Sequence, residues 1–174
     1  MKRKGKGKQK GNQFENLIAK KLSRWIFWGD QHVLGRHPTS GAKKVAYVGD
    51  IIPQKSLYDY NWLNFPLHFE LKTGYPQHEA TFNNQTQIRK WIIKGESELT
   101  IDQSILWLIV RFKNKQPVLI TNRMLSNVYW NLALNIEDRG LITTYYIYNL
   151  YSLMKLNFYD IVLYPEMQYN TISD

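Results

Sequence analysis

The segment FPLHFELKT, residues 65–73, constrains this chain more than any other. Phe65, Leu67, Phe69 and Leu71 alternate with His68, Glu70 and Lys72. A period of two is the signature of a strand, so the apolar set lies on one face while Glu70 and Lys72 share the other. Residues two apart in a strand have Cα atoms about 6.5–7 Å from each other. A charged pair inside an apolar strand is costly if it is buried without partners. Two arrangements avoid that cost. Either the face is solvated and the pair is a minor surface ion pair, or the face lines a site where the charges meet a metal and a phosphate.

Asp50 favours the second arrangement. It sits in VGDIIP, beside Gly49 and twenty residues before Glu70. The surrounding VAYVGDIIP reads as a strand that Pro53 ends. If this strand pairs with 65–73 as a hairpin, Asp50 comes alongside Glu70. Two carboxylates sharing a site both stay ionised only when a cation joins them. Magnesium accepts one or two carboxylates, keeps several waters and takes substrate phosphate oxygens. Such an ion can activate water and stabilise the charge of phosphoryl transfer. Lys72 then orients the attacking water or holds the scissile phosphate.

An acid-x-Lys pair alone is weak evidence for such chemistry. Its setting adds to it: a Gly-Asp strand before it, a polar loop GRHPTSGAKK (35–44) with Arg36 and Ser40, and an upstream helix carrying Glu15. That helix is predicted over residues 12–28, with Phe14, Leu17, Ile18, Leu22, Trp25 and Ile26 at helical spacing, Asn12 as N-cap and Gly29 as stop. A short helix follows in QTQIRKWIIKG, with Gly95 as its stop. SILWLIVRF and QPVLIT read as a strand hairpin across KNK, and MLSNVYWNLAL as a helix. The Tyr-rich tail from Leu141 has strand character. The order of elements predicts an α/β fold: a mixed sheet with helices packed on it.

Bulk properties exclude several classes. At 174 residues with 44% hydrophobic content, the chain is expected to form one domain without staples. It has no cysteine, which removes thiolate metal sites, cysteine nucleophiles and disulfides. No apolar run approaches the roughly 18 residues of a membrane span, so a soluble cytoplasmic protein is expected. Of the net +9, six charges fall on Lys2, Arg3, Lys4, Lys6, Lys8 and Lys10. Lys alternating with Gly buries nothing, so residues 1–11 are expected to be a disordered basic arm suited to a polyanion; a solubilising tail is the plainer use. The four histidines lack tight ligand spacing and point to no zinc site. His68 falls at the edge of the proposed site, with packing or hydrogen bonding its ordinary use. Asp59 competes with Asp50 as a ligand, but YDYNWLNF looks like a loop tip. There is neither GxxxxGK[ST] nor GxSxG, so ATPase and serine hydrolase chemistry find no support.

Taken together, GNQFE with Glu15, RHPTSG with Arg36 and Ser40, VGD with Asp50, and ELK with Glu70 and Lys72 resemble the PD-(D/E)xK nuclease superfamily. Within it they resemble the archaeal-type Holliday junction resolvases, including phage-borne relatives. The resemblance covers roughly residues 8–95. It implies a restriction-endonuclease-like core: a mixed five-stranded sheet flanked by α-helices, with a motif-bearing part at about 12–122 and an extension at 123–174 of one nuclease domain. It implies magnesium-dependent hydrolysis of DNA, with manganese as a substitute, and a homodimer acting on four-way or otherwise branched DNA. By the same resemblance, Asp50, Glu70 and the Leu71 carbonyl ligate the metal and Lys72 is catalytic. Glu15 is an outer ligand through water. Arg36, Ser40 and Gln85 or Gln87 contact the DNA backbone. The stretch between Asp50 and Glu70 is longer than in the resolvases, suggesting a long hairpin at 54–64 that could touch DNA or a partner subunit. Two other readings stay open: a restriction-type or general phage DNA endonuclease on the same fold, and a DNA-binding protein without catalysis.

Overall fold

The elements run α1 (Lys6–Ile26), β1 (Leu34–Arg36), β2 (Ile51–Pro53), β3 (Leu67–Thr73), α2 (Gln85–Ser97), β4 (Ile105–Arg111), β5 (Val118–Thr121), β6 (Leu132–Asp138), β7 (Leu141–Asn149), α3 (Leu150–Leu153) and α4 (Phe158–Ile161). They come from a computed structural model that describes residues 6–37, 47–60, 64–75 and 85–162. All seven strands join one sheet in the order β1-β2-β3-β4-β5-β7-β6. The pair β3–β4 is parallel, in register from Leu67 opposite Ile105 to Thr73 opposite Arg111. Its neighbours on either side pair antiparallel. Parallel neighbours need a crossover, and α2 supplies it. The mixed sheet flanked by helices is the restriction-endonuclease-like architecture expected, with seven strands in place of five.

β4 is buried from Ile105 to Val110. That burial on both faces explains its unbroken apolar run. On one face α1, α3 and α4 close a core around Trp107, which meets Phe69 edge-on at 5.8 Å and Trp25 at 6.1 Å. On the other face Ile88, Trp91 and Ile92 of α2 pack on Leu106, Leu108 and Val110. Leu134, Ile136, Tyr145 and Ile147 extend this second core, so the segment 132–149 completes the sheet.

Three expectations are corrected. First, α1 begins at Lys6, not Asn12, so residues 6–11 of the expected disordered arm are helical. Prolonging an existing helix costs no new nucleation, and Lys and Gln are good helix formers. Residues 1–5 lie outside the described residues. Second, MLSNVYWNLAL is not a helix. Residues 122–131 are turn and loop, and β6 follows, because buried Leu134 and Ile136 alternate with exposed Asn135 and Glu137. Third, Gly95 does not end α2. It lies within the helix, where a Cβ would come 2.7 Å from a Leu106 methyl; glycine lets helix and sheet approach. Gly29, by contrast, does end α1, with φ +99° and its N–H on the Arg24 carbonyl at 2.9 Å.

The described part of the insert, residues 54–60, is anchored to the body of the domain. Tyr60 Oη donates to Asp30 at 2.5 Å and Lys55 Nζ reaches the same carboxylate at 2.7 Å. This puts residues 54–60 at the amino end of β3, away from Lys72. Asp59 is exposed in a short 3₁₀ turn there. Among the described residues no helix is long and apolar enough to cross a membrane.

Candidate active site

β3 turns His68, Glu70 and Lys72 to the α2 side of the sheet, opposite Leu106, Leu108 and Val110 of β4. Glu70 is only 3% exposed, so this face is not solvated. A buried carboxylate needs charged partners. Glu70 has two on one oxygen: the Lys72 ammonium donates to Oε1, and Lys94 of α2 lies 3.3 Å from the same atom. Lys94 also reaches Glu98 at 2.8 Å, one helical turn on.

Asp50 arrives from β2 by a sharp turn. Ile51 lies opposite Phe69, and the Asp50 N–H donates to the Phe69 carbonyl at 2.8 Å. The Asp50 side chain then continues the ladder, its Oδ2 accepting the Leu71 N–H at 2.7 Å. A strand residue's N–H and C=O point to the same side, so the Leu71 carbonyl also faces Asp50. Gly49 makes the turn possible. Its φ is +112°, and a Cβ there would stand 2.7 Å from the Phe69 carbonyl oxygen.

Gln103 fixes the chain just before that turn. It is fully buried. Its amide nitrogen donates to the carbonyls of Val48 at 3.0 Å and Leu67 at 3.1 Å, and its amide oxygen accepts the Val48 N–H. Val48 thus gains a peptide-like partner where no strand continues.

The electrostatics follow from this burial. The Asp50 carboxyl is pushed up to about 6, first by burial and then by the negative charge of Glu70. The Leu71 N–H and the Lys72 charge pull the other way, and Glu15 adds to the rise. Burial likewise holds the His68 imidazole below its ordinary value. Glu15 stands on the first half of α1, where it takes the Arg36 Nε at 2.5 Å. The next residue after β1, His37, donates its N–H to the Asp50 carbonyl at 3.0 Å.

The structure therefore brings Asp50, Glu70, Lys72 and the Leu71 backbone into one site, with the Glu15–Arg36 pair within electrostatic reach of Asp50. Gln87 is half-buried on α2, two turns before Lys94 and so on the same stripe of the helix. Lys10 is exposed on the first turns of α1. Ser40, Lys2, Arg3 and Lys4 lie outside the described residues, as do the side chains of Lys6, Lys8 and Gln85. Sequence reasoning missed Lys94, Glu98 and Gln103. The first two carry a signal, since Gln87, Trp91, Lys94 and Glu98 recur at four, three and four residues, one stripe of a helix. Gln103 carries none, because its partners are backbone groups distant in sequence.

The donor chemistry suits a divalent cation. Among the described residues, His68, Glu70 and Glu98 form a group whose ligand atoms all lie within 4.8 Å of one another. Asp50, whose carboxyl feels the Glu70 charge, and the Leu71 carbonyl add further oxygen donors. Neither a curated protein nor a solved structure matches the chain. A family described as "Phage putative PDDEXK endonuclease" does match, over residues 6–168. Those residues hold the whole site and nearly the entire chain, and the chain belongs to this phage PD-(D/E)xK endonuclease family.

Proposed function

We propose that the chain is a magnesium-dependent endodeoxyribonuclease whose preferred substrate is branched DNA, above all the four-way junction. The observation that carries the nuclease chemistry is the Asp50 carboxylate held on the Leu71 N–H at 2.7 Å beside buried Glu70, where burial and the Glu70 charge push its carboxyl up to about 6. Asp50, Glu70 and the Leu71 carbonyl are hard oxygen donors, which suit magnesium, with manganese as a substitute. When bound, such an ion supplies Lewis acidity toward the phosphate and acidifies water.

The chain's own residues supply the rest. Lys72, held by Glu70, keeps its ammonium beside the reacting phosphate, where it orients the attacking water and stabilises developing negative charge. Glu15 fixes one edge of Arg36, leaving the other guanidinium donors for a DNA phosphate. Ser40, Gln85, Gln87 and the basic residues Lys2, Arg3, Lys4, Lys6, Lys8 and Lys10 contact the backbone without reading sequence. Junction preference rests on the GNQFE, RHPTSG, VGD and ELK pattern. It calls for a homodimer, because one site per subunit lets two strands be cut symmetrically.

The test is cleavage of end-labelled four-way junction, linear duplex and single strand at fixed salt, with magnesium or chelator. Symmetrical nicking of the junction alone, lost in chelator, supports the full reading. Equal cutting of all three substrates keeps the nuclease and removes the junction preference. Binding without cutting under magnesium or manganese refutes catalysis.

A further inference from the structure

Among the described residues, His68 is a buried titratable side chain near Glu70 that the proposed chemistry leaves unused. Its imidazole is fully buried, and among the described residues neither ring nitrogen has a hydrogen-bond partner. Glu98 Oε2 lies 3.9 Å from Nε2, too far for a hydrogen bond. Buried imidazoles ordinarily find a partner. Here the ring is aimed into a group of ligand atoms from His68, Glu70 and Glu98 within 4.8 Å of one another. His68 and Glu70 come from β3, and Glu98 is the residue just past the end of α2. Lys94 supplies positive charge to the same spot, 3.3 Å from Glu70 and 2.8 Å from Glu98. It is the most exposed of the group, with 54% of its side chain accessible, and its long stem can withdraw.

We propose that His68, Glu70 and Glu98 form a second divalent-cation site, with a ligand set separate from Asp50 and the Leu71 carbonyl, and that it takes a transition metal such as manganese in preference to magnesium. An imidazole beside two carboxylates disfavours magnesium, which prefers oxygen donors and keeps its waters, and favours a transition metal, for which manganese is the spectroscopic probe. Glu70 then serves both sites. Lys94 is the counter-ion that holds the site when no metal is bound, and it leaves as the metal enters. The site depends on none of Asp50, Leu71 or Lys72, so it can exist even if the nuclease reading fails.

Titration of the full chain with Mn²⁺, followed by electron paramagnetic resonance, tests this. Asp50→Asn removes the first site and isolates the second. In that background one Mn²⁺ is expected to bind and to show coupling to an imidazole ¹⁴N. Adding Glu98→Gln, a change at a partly exposed residue that the fold should tolerate, is expected to weaken this binding by about tenfold or more. Lys94→Gln is expected to tighten it, because the competing ammonium is gone. A His68→Asn protein that folds should lose the ¹⁴N coupling. The proposal is overturned if the Asp50→Asn protein binds no Mn²⁺, if the bound ion shows no nitrogen coupling, or if Glu98→Gln leaves the affinity unchanged.

Discussion

Replacing Asp50 with asparagine should make the metal-free protein more stable at alkaline pH, although it removes the residue most central to the site. A carboxyl raised from 3.8 to about 6 binds protons more tightly in the folded state than in the unfolded state. Its folded form is therefore favoured below pH 3.8, loses ground as pH rises through that window, and carries the full cost above pH 6. At 1.36 kcal/mol per unit the shift corresponds to about 3 kcal/mol. Asp50 keeps some solvent contact, so roughly 1–3 kcal/mol is the reasonable range. Asparagine has no charge to desolvate, and its Oδ1 can still accept the Leu71 N–H. Urea denaturation in chelator at pH 4, 6 and 8 should show Asp50→Asn gaining on wild type with pH, the two converging near pH 4. At pH 8 the gain should appear as a Tm rise of about 2–4 °C per kcal/mol. Magnesium should reverse the ranking, since an ion at 100 times its Kd adds about 2.7 kcal/mol to the protein that binds it. An asparagine variant less stable than wild type at pH 8 in chelator, or an offset identical at pH 4 and 8, would refute this electrostatic account.

Three further substitutions probe the scaffold and the chemistry. Gly49→Ala should destabilise by roughly 2 kcal/mol or more, from the positive φ and the 2.7 Å approach to the Phe69 carbonyl, and should abolish cleavage by displacing Asp50; wild-type stability by calorimetry would contradict it. Gln103→Leu strands the Val48 peptide groups and the Leu67 carbonyl, so a loss of about 2–4 kcal/mol is expected on denaturation, with slower DNA cutting in the folded fraction. Lys72→Ala should leave a folded protein, because Lys94 still neutralises Glu70, and should retain DNA binding in a gel-shift assay while cleavage disappears.

The parts of this fold that were legible are those fixed by local period. β3 was readable because Phe69 and Leu71 alternate with Glu70 and Lys72, and the hairpin β4–β5 because two apolar runs flank a short polar turn. The joining of Asp50 to Glu70 was inferred from a Gly-Asp bend, and the Ile51–Phe69 pairing bears out the hairpin. What escaped depends on partners far along the chain. Gln103 looks like any polar loop residue until Val48 and Leu67 close on it from 55 and 36 residues away. Gly95 looks like a helix stop until Leu106 comes against it. The segment 124–134 reads as a helix, but only its last three residues join a regular element, β6, whose buried face, Leu134 and Ile136, is set by β7 and α2.

The charges around Glu70 also constrain how DNA can approach. Among the described residues Glu15 pairs with Arg36, Glu70 with Lys72, and Glu98 with Lys94, which leaves Asp50 with a backbone N–H and no cation of its own. A phosphodiester entering this site brings a further negative charge toward a carboxylate that already resists ionisation. Without metal, binding and ionisation of Asp50 oppose each other; with a divalent ion the two become mutually favourable. The Asp50→Asn protein escapes the first effect and cannot use the second. In chelator at pH 8 and fixed salt it should bind DNA more tightly than wild type, measured by fluorescence anisotropy. A divalent ion should then raise the affinity of wild type more than that of the variant. Equal affinities in chelator, with equal responses to the ion, would mean that the phosphate does not come near Asp50, and the site would have to be redrawn around Glu70 and Lys72 alone.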